Sequence, residues 1–174
     1  MGLVSGGRRR YTPAMRKIIV ATLLFLGILR ASGDSIPTNW KIIKDSKSVC
    51  QIAVPENWTA GADNTGSAYL QDPTVAIAVV TSQPTQAFKP ISDSMLHLLN
   101  VTKESLFENS AKRVFYQDRP NASAPDSHSL NIMVPGRTGT CSARVVYPPT
   151  VPEDTARKIA LTLAPVPEAG GATQ

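Results

Sequence analysis

The sequence predicts an α+β domain with a largely antiparallel sheet, a central helix and a C-terminal helix packed on that sheet. Three observations lead to this class. Short apolar segments separated by turn-forming residues recur between residues 39 and 147, as is typical of β-strands. Two other stretches, 92–110 and 150–164, space their apolar residues as helices do. The order of four strands, a helix, three strands and a helix groups strands together, which favours an antiparallel sheet.

The first four predicted strands form two pairs. Residues 39–44 (NWKIIK) and 49–54 (VCQIAV) flank the polar run 45–48 (DSKS), so we expect a hairpin at the start of the domain. Residues 67–71 and 74–81 make the next two strands. Because 74–81 (TVAIAVVT) is apolar on both faces, it is expected to be central or covered on both sides.

The central helix is expected to begin at Ser92 or Asp93 and to end near Ser110. Apolar side chains recur on one side of this stretch and charged ones lie away from it, so we expect that side to pack on the core. The apolar positions are Met95, Leu98, Leu99, Leu106 and Phe107.

Three further strands and a closing helix complete the predicted domain. The strands are expected at 112–117, 128–134 and 140–147. Pro152 suits the first turn of the second helix, and the two acidic residues that follow it are favourable at the positive end of the helix. The tail, 165–174, is rich in Pro, Gly and Ala and is predicted to be disordered.

Residues 1–33 are predicted to be an export signal, and residues 34–164 a single globular domain. The apolar run 18–29 (IIVATLLFLGIL) has no charge, follows a basic leader and precedes small residues, which is the layout of a secretory signal. The run is shorter than the roughly 20 residues that a membrane-spanning helix needs. Cleavage after Gly33 would start the mature chain at Asp34.

Other readings of this leader stay open. Cleavage after Ala31 fits the small-residue pattern nearly as well, and Met15 with its two following basic residues would make a compact start. An uncleaved leader would anchor the domain outside the membrane. The expected location is therefore secreted or periplasmic, with a membrane-anchored form as the alternative.

The positive charge of the chain lies in this leader. The chain has 18 basic and 13 acidic residues, a net charge of +5. Six of the basic residues and none of the acidic ones precede residue 34, so 12 basic and 13 acidic residues remain, a net charge of −1. The mature domain therefore gives no reason to expect a nucleic-acid partner.

The only two cysteines, Cys50 and Cys141, are predicted to form a disulfide. An isolated pair in an exported chain is more often bridged than free, and each cysteine lies in an apolar strand-like segment. The pair has neither the C-x-x-C spacing of a redox site nor the neighbouring histidines of a metal site.

Few residues suggest catalysis. The run Asp126-Ser127-His128-Ser129 contains the residue types of a hydrolase triad but lacks the G-x-S-x-G nucleophile elbow. A small exported hydrolase using His128 is therefore kept as an alternative function. The sequence has no phosphate-loop, dinucleotide, EF-hand or zinc-protease motif, and no cofactor or metal is predicted.

The candidate surface site consists of Tyr116, Tyr147, His128 and Arg137. Alternation along the predicted strand places Tyr116 on the face opposite to Phe115, which we expect in the core. Arg137 lies in a glycine-bracketed segment that could bind an anion, although a hairpin turn explains the glycines more simply.

Pro55 and Trp58 form a P-x-x-W element after the second strand. With the hairpin, central helix, strand meander and closing helix, residues 38–164 resemble the PsbP-like α/β/α sandwich family of the photosystem II extrinsic subunit and Ran-binding import-factor relatives. The resemblance implies a scaffold that binds or supports a partner without catalysis, and it transfers no functional residue.

The function predicted from these observations is an exported, non-catalytic accessory or binding domain that acts through its sheet on an unknown protein or small ligand. A membrane-anchored structural protein of the envelope is a further alternative, and it would contact the membrane through the uncleaved leader.

Overall fold

Side chains alternate between the two faces of each strand in this protein, and short polar turns join the strands. The computed structural model describes residues 36–62, 65–71, 75–118 and 126–168. The strands are β1 Trp40–Lys44, β2 Cys50–Pro55, β3 Thr59–Ala60, β4 Ser67–Leu70, β5 Ala76–Gln83, β6 Leu106–Asn109, β7 Val114–Asp118, β8 His128–Pro135, β9 Thr140–Tyr147 and β10 Ala164–Pro165. The helices are α1 Asp93–Leu98 and α2 Glu153–Leu161. The α+β class with largely antiparallel sheets is confirmed.

Two antiparallel sheets make up the domain. The larger sheet has seven strands in the order β3-β4-β5-β9-β8-β7-β6, and the smaller has three in the order β1-β2-β10. The hairpin β1–β2 pairs Ile43 with Ile52, as the polar turn between them predicts. Strand β5 pairs with β4 and β9 and is therefore an interior strand of the larger sheet, as its apolar character indicates.

One face of the larger sheet carries the core. Even-numbered residues of β5 and β8 and odd-numbered residues of β9 lie on this face, because directly paired residues share a side of an antiparallel sheet. Strand β2 and helix α2 contact the same strands. The buried set includes Trp58, Val80, Phe115, Ile132, Val145 and Ile159. The core position predicted for Phe115 is confirmed, and Trp58 of the P-x-x-W element is also buried.

The disulfide joins the two sheets within this core. Cys50 begins β2 in the smaller sheet and Cys141 lies in β9 of the larger one, and the two form the predicted bridge with both residues fully buried. The bridge closes a sequence separation of 91 residues, for which the chain-entropy model gives a stabilisation of about 4–5 kcal/mol. It therefore holds the sheets together where they pack.

A buried carboxylate fixes the first hairpin beside this bridge. Asp45 Oδ1 accepts hydrogen bonds from the backbone amides of Val49 (2.7 Å) and Cys50 (2.8 Å), and Oδ2 accepts one from Ser82 Oγ (2.6 Å). Burial raises the pKa of Asp45, but the hydrogen bonds outweigh burial and the pKa is lowered from 3.8. Asp45 thus links the hairpin turn to the end of β5 as a carboxylate.

Gly66 is required where the chain enters β4. Its φ of 70° lies in the left-handed region, and a Cβ atom there would lie 2.5 Å from the carbonyl oxygen of Val80. A side chain would therefore be strained both by the backbone and by the neighbouring strand.

The extent predicted for the central helix is wrong. Helix α1 has six residues, and Asn100 follows it with a φ of 54°. The amide of Val101 donates to the carbonyl of Leu96 and that of Asn100 to the carbonyl of His97, which is a Schellman C-terminal motif with Asn at the left-handed position. Residues 106–109, expected at the end of this helix, instead form β6 and pair with β7.

The expected packing of this helix on the core is also corrected. None of the six residues of α1 is buried, and Met95, Leu98 and Leu99 are exposed, Leu98 to 72%. Leu106 and Phe107 are half-buried as members of β6 instead. The apolar residues predicted to form one helix therefore belong to two elements, the exposed helix α1 and the half-buried strand β6.

The second helix forms as part of the domain, and the segment after it extends the domain beyond the predicted boundary at residue 164. Helix α2 begins after Pro152, as expected. Pro165 then pairs with Cys50 in β10, and the amide of Val166 donates to the carbonyl of Val49, so the ordered chain continues into the predicted tail. Residues 169–174 lie outside the described residues. The predicted signal, 1–33, and the cleavage positions Gly33 and Asp34 also lie outside them.

Candidate functional site

The candidate site lies on the face of the larger sheet opposite to the core, which we call the open face. Its middle row runs from Val79 of β5 to Arg144 of β9, Asn131 of β8 and Tyr116 of β7, which are successive partners across four strands. The side chain of Arg144 is 57% exposed. Strand alternation places these side chains together, although they are far apart in sequence.

Apolar side chains flank the middle row on both sides. Ile77 and Val146 pair on one side of the row, and Met133 pairs with Ser142 on the other. A depression of about 420 Å³ opens among these residues. Polar side chains share this face, since Thr81 and Ser142 hydrogen-bond to each other at 2.8 Å. The face therefore offers both apolar and polar contacts, as ligand-binding surfaces do.

An ion pair holds the Arg144 guanidinium in position. Its Nη2 lies 3.3 Å from Asp118 Oδ2, and its Nε donates to Ser129 Oγ at 2.8 Å. Ser129 Oγ in turn donates to Asp118 Oδ2 at 3.3 Å. These bonds occupy one edge of the guanidinium, so the remaining N–H donors can reach another acceptor.

The side-chain amide of Asn131 lies beside this cation. Its Nδ2 is buried and has no hydrogen-bond partner among the described residues. A buried donor without a partner costs free energy of about 1–3 kcal/mol, and such groups are uncommon in folded proteins. Asn131 also lines the depression, so a small rotation of its amide would bring this donor to a ligand acceptor that supplies the missing bond.

Tyr116 completes the middle row with a phenol. The residue is 8% exposed, and burial raises its pKa above 10.0. The Asp118 carboxylate raises the pKa further, and Arg144 opposes this effect. Tyr116 is therefore protonated at neutral pH and can donate a hydrogen bond through its hydroxyl.

A second groove continues from the open face. This groove, of about 550 Å³, is lined by Phe88 and Ile91 from the segment that leads into α1 and by Met95 of α1 itself. Gln83 and Met133 line both cavities. Met133 and Asn131 are neighbours on the same face of β8, and such neighbours are about 6–7 Å apart. The groove therefore begins about this distance from Asn131.

Of the four predicted surface residues, only Tyr116 lies on the open face. Tyr147 is 2% exposed and lies on the core face, where burial raises its pKa. Its hydroxyl has no partner among the described residues. Tyr147 is therefore corrected from a surface to a core residue.

His128 lies beside Tyr147 and not beside Tyr116. The two are register partners, their rings are 5.5 Å apart, and His128 Nδ1 lies 3.1 Å from Gln117 Nε2. Ser129 lies on the opposite face, where it bonds Arg144 and Asp118. The structure therefore places His128 and Ser129 of the hydrolase-like run on opposite faces of the sheet.

Arg137 lies at the far end of β8, in the β8–β9 turn. The amide of Gly136 donates to the carbonyl of Gly139 across this turn at 2.7 Å, and Arg137 Nη1 forms a 2.9 Å ion pair with Glu168. The hairpin interpretation of the glycines is confirmed. Arg137 is thus separated from Tyr116 along the sheet and does not belong to the open-face site.

Sequence reasoning missed Asp118, Asn131 and Arg144 as site residues. Asn131 and Arg144 each lie near the middle of a strand between two apolar neighbours, and this position was the available signal. Their convergence depends on the pairing register, which the sequence does not display. Among the described residues, no cluster of three His, Cys, Asp or Glu side chains could hold a metal ion, and no helix has the length and apolar character to cross a bilayer.

Fold and site together define a small α+β domain with a disulfide between its sheets and a partly apolar, donor-bearing open face. No protein-family model matches the chain, and no curated protein matches it significantly.

Proposed function

We propose that this protein is a non-catalytic binding domain and that its ligand lies on the open face of the larger sheet. The observation that carries the proposal is the buried Asn131 Nδ2, which lacks a partner among the described residues and belongs to a side chain that lines the depression beside Arg144 and Tyr116. A bound acceptor would satisfy this donor, and apolar ligand atoms would cover Ile77 and Val79.

An ordinary solvated face is the alternative use of this surface. Solvated faces of antiparallel sheets are mostly polar, whereas this face is mixed: Ile77, Val79, Met133 and Val146 are apolar, and Thr81, Gln83 and Ser142 are polar. Burying each of these side chains against a ligand would contribute about 25 cal/mol for each Å² of apolar area removed from water. Apolar contact would thus supply affinity, and the donors of the middle row would fix orientation.

Fragment binding to the full, oxidised chain tests this proposal. A library of small apolar fragments, followed by ligand-observed NMR, should give hits that Val79→Lys abolishes, because a cation would enter the depression. Thr59→Lys is the matched control, since Thr59 is exposed on β3. Hits that survive Val79→Lys unchanged, or an absence of hits, would contradict the proposal.

We further propose that the domain is exported, with cleavage after Gly33. The disulfide supports this location, because Cys50–Cys141 is compatible with an oxidising compartment and such bridges are rare in reducing ones. Mass spectrometry of the protein from its natural source should find Asp34 at the N-terminus. A chain that keeps residues 16–33 would support the anchored alternative instead.

We also propose a relationship to the PsbP-like family. The hairpin β1–β2, the buried Trp58 of the P-x-x-W element and the closing helix α2 support it. Superposition of these elements on that family in the same strand order would strengthen the proposal, and a different strand order would remove it.

A further inference from the structure

We infer that the ligand of the open face is an amphipathic carboxylate, with its carboxylate on the middle row and its apolar tail in the groove beyond Met133. This inference rests on the proposed binding function and adds the chemical class of the ligand. Two independent features of the site support it: the donors and charges that line the cavities, and the path that joins the cavities.

The donors of the middle row suit a group that only accepts hydrogen bonds. Arg144 has N–H groups beyond those facing Ser129 and Asp118, the Asn131 Nδ2 lacks a partner among the described residues, and Tyr116 has a hydroxyl. A carboxylate has two oxygens with about four lone-pair positions and accepts from arginine in a bidentate manner. The three donors therefore match a carboxylate better than a hydroxyl or an amine.

The charges at the two cavities favour the same sign. Arg144 lines the depression and Lys89 lines the adjoining groove, and no acidic residue is among the described lining residues of either cavity. Asp118 pairs with one edge of the Arg144 guanidinium at 3.3 Å and offsets part of its charge, whereas Lys89 forms no ion pair among the described residues. An anionic ligand would thus meet cationic lining, whereas an ammonium group would be repelled.

The apolar path sets where the tail runs. From Asn131 the next residue on the same face of β8 is Met133, which lines both the depression and the groove. Beyond it, Phe88, Ile91 and Met95 provide apolar walls. At about 1.25 Å per methylene, a chain of six to eight carbons is enough to span the 6–7 Å between neighbouring same-face residues and to enter the groove.

Sodium octanoate, methyl octanoate and octylammonium are the probes, because they share one tail and differ in head-group charge. Each would be titrated below its micelle concentration into the full, oxidised chain, with the Asn131 side-chain amide and the Met133 methyl followed by NMR. We expect octanoate to shift both signals, and to bind about tenfold more tightly than the methyl ester.

Two variants locate the head group. Asn131→Leu should weaken octanoate binding about tenfold, whereas Asn57→Leu, the same change at an exposed turn, should leave it unchanged. Arg144→Met should remove the preference for octanoate over its methyl ester. Arg113→Met is its control, because Arg113 forms a comparable ion pair with Glu108 away from the open face.

The outcomes separate this inference from the binding function on which it rests. Equal or tighter binding of the methyl ester or the ammonium probe, with shifts at Met133, would overturn the carboxylate assignment and leave the open face as a binding site. No shift at the open face with any probe would overturn the carboxylate assignment, and together with an absence of fragment hits it would overturn the binding function as well.

Discussion

The two faces of the larger sheet are built from alternate residues of the same strands, yet they differ in almost every physical respect. On the core face, Ile132 and Val145 are fully buried beneath β2 and α2, and Cys141 is bridged to the smaller sheet. On the open face, Met133 and Arg144 line a depression that reaches solvent. Neighbours in sequence therefore have opposite roles.

The comparison indicates that alternate residues along each strand have different roles: those on the core face stabilise the fold, and those on the open face bind the ligand. Substitutions on the core face should change the free energy of unfolding, because they leave cavities or remove links between the sheets. Substitutions on the open face should change it little and affect ligand affinity instead. The predictions below test this separation.

The largest effect is expected from the bridge on the core face. Replacing Cys50 and Cys141 together with alanine should lower the free energy of unfolding by about 4 kcal/mol, because the unfolded chain loses a constraint over 91 residues. Urea unfolding of the oxidised protein and the double variant measures this difference. Two alkylatable thiols in the native protein would contradict the bridge.

The next effect compares adjacent residues of β8. Ile132→Ala should lower the free energy of unfolding by about 3 kcal/mol, because Ile132 is fully buried. Met133→Ala should lower it by about 1 kcal/mol or less, because Met133 is only half-buried on the open face. Similar losses for both variants in denaturant unfolding would break the proposed separation of the faces.

A smaller effect is expected at the carboxylate that fixes the first hairpin. Asp45→Asn should lower the free energy of unfolding by about 2 kcal/mol at neutral pH, because the amide cannot accept all the hydrogen bonds from Val49, Cys50 and Ser82. Asp126→Asn, at an exposed position, is the control.

The pH dependence of this effect has a definite sign. The pKa of Asp45 is lowered from 3.8 in the folded protein, so its stabilisation is fully present above the unfolded pKa and is lost as pH falls through the folded pKa. Urea unfolding between neutral pH and pH values below 3.8 should therefore show a steeper loss for the parent than for Asp45→Asn. Parallel curves would refute the role of this carboxylate.

The smallest effects are gains in stability at the two polar groups without partners among the described residues. Tyr147→Phe and Asn131→Leu should each raise the free energy of unfolding by about 1 kcal/mol, since each removes a buried polar atom that lacks a hydrogen bond. Only Asn131→Leu should also weaken ligand binding. Equal effects of the two variants on affinity would show that the faces are not functionally distinct.

The sequence predicted the strands well because alternation and turn residues are local signals. It located β5, β8 and β9 to within a few residues and placed Tyr116 opposite to Phe115. The central helix was overextended because Leu106 and Phe107 continue the apolar spacing of Met95, whereas the left-handed Asn100 ends the helix between them. Local spacing alone does not reveal this stop.

The site was harder to predict than the strands because it depends on register. Tyr116, Asn131 and Arg144 belong to three different strands, and only their pairing brings them into one row. Tyr147 was placed wrongly because the alternation of β9 does not say which of its faces is covered. Packing of β2 and α2 decides that question, and this packing is a long-range property.

The most direct test of this account is a methyl map of the two faces on addition of sodium octanoate to the full, oxidised chain. Carbon–proton NMR spectra should show shifts at the open-face methyls of Ile77, Val79, Met133 and Val146. The core-face methyls of Ala78, Val80, Ile132 and Val145 should move little. Shifts that concentrate on the core face, or that ignore the alternation between neighbouring residues, would contradict the claim that the open face is the binding surface.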